Sequence, residues 1–142
     1  MGKTLRFIFV LFVLTILTAC TGVHLPETPS WKEVPIMKVK DVAGKWEGTT
    51  WVEPQVARQD DWVKVRISED GRFEFASYRM TGAWLGNGNL LLENGKLVTE
   101  SKPDTGSATF TLYESRGKRM LKVQGTTKTG LRQAAELTPL GQ

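Results

Sequence analysis

The sequence predicts an all-β fold: a small antiparallel up-and-down β-barrel of about eight short strands. Three observations carry that expectation. Apolar residues alternate with polar ones along several short runs, the pattern of strands with one buried and one solvated face. Asp-Gly and Asn-Gly pairs, which accept the positive φ of tight hairpins, punctuate those runs. No amphipathic stretch of helical length carries capping signals at both ends. A meander with one apolar face must bury it, and curling into a barrel also removes exposed edges. A two-sheet β-sandwich is the alternative, because periodicity does not distinguish stacked from closed sheets.

Taken in order, the expected strands are 44–52, 61–68, 72–79, 81–86, 89–93, 96–101, 107–114, 118–125 and 130–138. Val63, Val65 and Ile67 alternate with Lys64 and Arg66, and Phe73 and Phe75 flank Glu74. Phe110 and Leu112 alternate with Thr109, Thr111 and Tyr113. Leu121 and Val123 stand against Lys122 and Gln124, while Leu131, Ala135 and Leu137 share one parity. Turns are expected at Asp70-Gly71, Asn87-Gly88, Asn94-Gly95, Arg116-Gly117 and Thr129-Gly130.

The first forty residues read differently. Lys3 and Arg6 precede an almost unbroken apolar run, Phe7 to Leu17, and small residues follow. That is the layout of a secretory signal, and the run falls short of the roughly 20 residues a membrane span needs. Residues 1–19 are therefore expected to be a signal peptide. Residues 20–40, with Pro26, Pro29 and Pro35 and no sustained periodicity, read as an extended tether. Trp31 and Ile36 within it are candidates to fold back as a plug. The barrel domain is expected over 41–142, enough chain for one modest core.

Leu17-Thr18-Ala19-Cys20 resembles the lipobox of bacterial lipoproteins. The resemblance implies cleavage before Cys20, a diacylglycerol on its thiol and further acylation of the new amine. It implies a cell-envelope protein held to a membrane by lipid. Thr21, a non-aspartate after the cysteine, implies the outer membrane, facing the periplasm, if the organism has two membranes. Cys20 is the sole cysteine, so no disulfide can form within one chain. Loss of residues 1–19 leaves 17 basic against 15 acidic residues, so the high pI of the full chain overstates the mature charge. The densest basic spot, Arg116, Lys118, Arg119 and Lys122, surrounds one turn, and no nucleic-acid partner is expected.

Ala43-Gly44-Lys45-Trp46, just ahead of the first strand, resembles the G-x-W signature of calycins, the group of lipocalins, fatty-acid-binding proteins and avidins. The resemblance implies that Gly44 and Trp46 begin and close one end of a barrel. It also implies a basic residue of the last strand lying across the indole, for which Arg132 is the candidate. The chain is shorter than a usual lipocalin and lacks both its C-terminal helix and a second signature. The resemblance therefore implies an architecture and names no ligand.

No catalytic constellation emerges. His24, the sole histidine, lies in the tether, which removes a His-assisted nucleophile. Zinc-type spacing is absent, and no cofactor is expected. Most acidic residues fall at expected turns. The protein is thus read as non-enzymatic. Trp51, Trp62 and Trp84 are the candidate ligand-binding residues, lining a pocket or forming a platform, with core filling as the plainer use of such bulk. The functional expectation is binding of a small apolar or amphipathic molecule or an envelope component. The alternative is a protein-interaction module with a solid barrel, such as an inhibitor or assembly partner, touching its partner through Gln55–Asp61 and Met80–Asn89.

Overall fold

β2 (Gly44–Glu53) pairs on one side with β3 (Asp61–Ile67) and on the other with β9 (Arg132–Pro139), and this double pairing closes the sheet on itself. The computed structural model describes residues 30–53, 61–79, 82–100 and 106–141, without the side chains of 79 and 82–84. Between β3 and β9 run β4 (Arg72–Arg79), β5 (Gly82–Glu93), β6 (Lys96–Thr99), β7 (Ser107–Ser115) and β8 (Lys118–Thr126), each antiparallel to the next. The result is a closed eight-stranded up-and-down barrel, and the sandwich alternative fails on the β2–β9 seam.

β6 is short, and a ninth strand, β1 (Lys32–Val34), pairs with the length of β7 that β6 leaves open, Val34 opposite Leu112 and Lys32 opposite Glu114. The domain thus begins well before residue 41. Ile36 is 1% exposed, its amide donates to the Gly95 carbonyl at 2.8 Å, and a single 3-10 turn over Val39–Asp41 brings Val42 into the core. The segment read as tether is a plug from Lys32 onward. The expected signal peptide, Cys20 and the part of the expected tether up to Pro29 lie outside the described residues.

Tight turns occur where turn chemistry predicts them at four of five places. Asn94-Gly95 and Arg116-Gly117 both have two successive positive φ values, matching the right-handed twist of the flanking strands. The fifth, Asn87-Gly88, is the interior of β5, so the expected strands 81–86 and 89–93 are one twelve-residue strand. The glycines there have a packing role. A Cβ on Gly86 would lie 2.2 Å from Phe75, and one on Gly88 would lie 2.8 Å from Phe73. Each phenylalanine ring of β4 covers a glycine on β5, which a propensity reading takes for a turn.

Inward residues share one parity, and at one end they are large. Trp46, Ile67, Phe73, Leu97, Leu112, Leu121 and Leu137 belong to a single core with Ile36 and Val42. Phe73 meets Phe110 edge-on at 5.9 Å between ring centroids. Their strands stand three places apart around the barrel, so this contact crosses the interior. This end, with connections 68–71, 94–95 and 116–117, is shut.

Candidate functional site

The shut end is built around Trp46. Gly44 has φ +139°, a value that excludes other residues with little strain, and it starts β2 with Trp46 directed inward. Trp46 is 3% exposed, and its Nε1–H donates to the Val42 carbonyl at 2.9 Å, so the buried indole keeps a partner. Over its face lies the Arg119 guanidinium, 5.8 Å from the ring centroid. Arg119 Nη2 donates to the Asp41 carbonyl and ties the 3-10 turn to the barrel floor. Its Nε reaches Glu114 Oε1 at 3.5 Å without hydrogen-bond geometry, and that buried nitrogen has no hydrogen-bond partner among the described residues.

Arg132 does not take this role. It pairs with Glu53 and Thr126, at the far end of β2 and β8 from Trp46. Its parity is also that of the outer face, since Ala135 and Leu137 point inward. The register explains Arg119: Leu121 faces Leu137, and two residues further on Arg119 stands level with Pro139, the partner of Trp46. The sequence signal was present. Arg119 shares the parity of Leu121 and Val123, an inward cation in an apolar series. The basic spot around the β7–β8 turn dissolves accordingly, with Arg119 inside and Lys122 3.8 Å from Glu136.

At the opposite end the described inward side chains nearest the mouth are small or polar. They are Val52, Asp61, Ser77, Thr99, Ala108 and Gly125, with Gln133 the largest among them. β5 supplies Trp84 at the register position opposite Ser77; its side chain lies outside the described residues. Thr50 Oγ1 donates to the Ala134 carbonyl and Thr99 Oγ1 accepts from the Ala108 amide, both at 2.9 Å. The wall engages these two hydroxyls, while Ser77, Asp61 and Gln133 add polar groups to the same layer. Val52, Ala108 and Val123 are partly buried, and Ser77 in the same layer is buried.

Trp51 and Trp62 do not line the interior. Both take outward register, Trp51 opposite Ala134 and Trp62 opposite Thr49 and Tyr78. Trp62 is 45% and Tyr78 49% exposed, and together they form an aromatic strip on the outer wall near the mouth. The outward register of Trp51 and Trp62 excludes a role in lining the barrel interior. Most of the Gln55–Asp61 loop and Met80 with Thr81 lie outside the described residues.

Lower on the same wall lies an open groove of about 430 Å³. Lys45, Lys64, Arg66 and Glu74 line it together with Leu85 and Leu140. Among the described residues no cluster of three His, Cys, Asp or Glu side chains has metal-binding geometry. One carboxyl is clearly perturbed: the hydrogen bond from the Arg72 amide, opposed by desolvation and aided by the Arg72 guanidinium, holds Asp70 below its ordinary range. That pair is exposed in the β3–β4 turn and serves the turn. No described helix is long and apolar enough to cross a membrane. Comparison with models of protein families, with curated proteins and with solved structures finds no match to this chain.

Proposed function

We propose that the protein is a non-catalytic, lipid-anchored binding module of the cell envelope whose barrel mouth takes up a small apolar or amphipathic molecule. One observation carries this reading: the described inward side chains at the mouth are small or polar, above a floor packed with large ones, with Trp84 the one bulky residue at that level by register. A barrel this size fills its interior with side chains unless something else is meant to enter. A layer that mixes Val52 and Ala108 with Asp61, Ser77 and Gln133 suits a molecule with an apolar body and one polar group. The lipobox resemblance at Cys20 supplies the anchor and, with it, the envelope location. Acyl chains on Cys20 would each contribute about 0.8 kcal/mol per buried methylene, enough for stable attachment when two or more are present.

The test uses the full chain in membranes and a fatty acid carrying a diazirine. Photolysis should place adducts on the mouth ends of β7 and β8, and Ala108→Phe should cut their yield at least tenfold. Trp62→Ala should leave the yield within twofold. Adducts confined to the outer strip and indifferent to Ala108→Phe would remove the carrier reading. Cys20→Ser should release unacylated protein from membranes; retention of acylated protein would defeat the anchor.

A second reading rests on the outer strip. Trp62 and Tyr78 stay exposed on the outer wall, where no internal ligand needs them. They favour a protein or glycan partner held on that wall. Under this reading Trp62→Ala with Tyr78→Ala abolishes partner capture in envelope crosslinking, and Ala108→Phe does not.

A further inference from the structure

The outer-wall groove is separate from the mouth and is lined unlike it. Lys45 and Arg66 are direct register partners, and Lys64 lies two residues along the same face of β3. Like charges directly opposite on a sheet face repel. Glu74 stands opposite Arg66 and Glu47 opposite Lys64, yet none of the three cations forms an ion pair among the described residues. The apolar side of the groove is equally unpartnered. Leu85 is 78% exposed and Leu140 47%, and Ala76 lies between Lys64 and Leu85 in register. Three cations beside two exposed leucines form a surface complementary to an anion attached to an alkyl chain.

Its place on the barrel matters too. Lys45, Arg66 and Glu74 lie near the shut end, the end at which the chain arrives, since Lys32 pairs with Glu114 beside the β7–β8 turn. Ten residues separate Cys20 from Ser30 and reach at most about 35 Å when extended. An anchor at Cys20 therefore keeps this end within reach of a bilayer surface.

We propose that this groove seats one acidic membrane lipid, its phosphate held by Lys45, Lys64 and Arg66 and the first part of its alkyl chain lying against Leu85 and Leu140. The proposal is independent of what enters the mouth. It is tested by native mass spectrometry of the full chain in nonionic detergent, offered equal amounts of phosphatidylglycerol and phosphatidylcholine with matched chains. At least a fivefold excess of phosphatidylglycerol adduct is expected. The combined variant Lys45→Gln, Lys64→Gln, Arg66→Gln should bring the two lipids to parity, and Leu85→Asn should lower the acidic adduct severalfold. Lys64→Arg should retain the preference, which separates charge from fold. Ala108→Phe should leave it untouched, so failure here and failure of the mouth reading are distinguishable.

Removing the charges of Arg116 and Lys118 instead should change nothing, because they stand outside the groove. Equal adducts in the unmodified chain, or a preference that survives the triple variant, would overturn the proposal. Displacement of the lipid by inorganic phosphate at equal concentration would do so as well, since it would reveal an anion site with no alkyl recognition.

Discussion

The two ends of this barrel are made of the same eight strands and behave as opposites. At the shut end, inward residues are large, connections are short, and Trp46 is held by Val42 below and Arg119 above. At the mouth, the described inward side chains are small or polar, and the connections 54–60 and 100–106 are the longest in the barrel. Large buried side chains are concentrated at the shut end, and the longer connections are concentrated at the mouth. β2 contributes to both ends: it begins at Gly44 in the floor and ends at Glu53 on the rim. Gly48, midway, has no room for a side chain, since a Cβ there would fall 1.9 Å from the Glu136 carbonyl oxygen.

The sharpest way to break this contrast is to treat a tryptophan at each end alike. Trp46→Ala removes a fully packed indole, its hydrogen bond and the surface under Arg119, and should cost about 3–5 kcal/mol in denaturant unfolding. Trp62→Ala removes a half-exposed indole from the outer wall and should cost less than about 1 kcal/mol. Comparable losses for both would mean that the outer strip is part of the core and that the division between the ends is wrong.

Two arginines give the next test. Arg119→Met should cost about 1–3 kcal/mol, the sum of a partly buried cation–π contact and a hydrogen bond to the Asp41 carbonyl. Arg132→Met, exposed on the outer face at the mouth, should change stability by no more than about 0.5 kcal/mol. Near-ultraviolet circular dichroism, dominated by buried indoles, should change only for Arg119→Met. A larger loss at Arg132 would restore the pairing that the calycin resemblance implies.

The contrast also separates what the sequence could disclose from what it could not. Strand alternation and turn chemistry are local, so the barrel order, the four true turns and the inward parity of Val63, Val65 and Ile67 could be read directly. Asn87-Gly88 misled because a glycine that yields to a neighbouring ring looks identical, in sequence, to one that bends the chain. Arg119 was missed because choosing a partner for Trp46 requires the register between β8, β9 and β2, a long-range property. Trp51 and Trp62 illustrate the same limit. Their parity is opposite to that of Trp46 and Val63, which points them outward, yet residue type alone leaves pocket, platform and core filling open. The cationic groove is only partly local: Lys64 and Arg66 share one face of β3 in sequence, but Lys45 joins them only when β2 and β3 pair.

The smallest expected effect lies in a closed-end turn. Asp70 accepts the Arg72 amide at 3.2 Å and the Arg72 Nε–H at 2.8 Å, and its carboxyl is held below the ordinary range chiefly by the amide bond. A carboxyl that ionises more readily when folded adds stability that is fully present above its unfolded pKa. That contribution fades as pH falls through the folded value. Asp70→Asn should therefore lower the unfolding midpoint slightly at neutral pH, and the difference from the unmodified chain should vanish at the acid end of the aspartate range. The side chains are 53% and 74% exposed, so solvent and salt screen the pair, and the difference should shrink further in high salt. A difference that stayed constant with pH would assign the effect to turn geometry, leaving the ionised carboxylate no part in it.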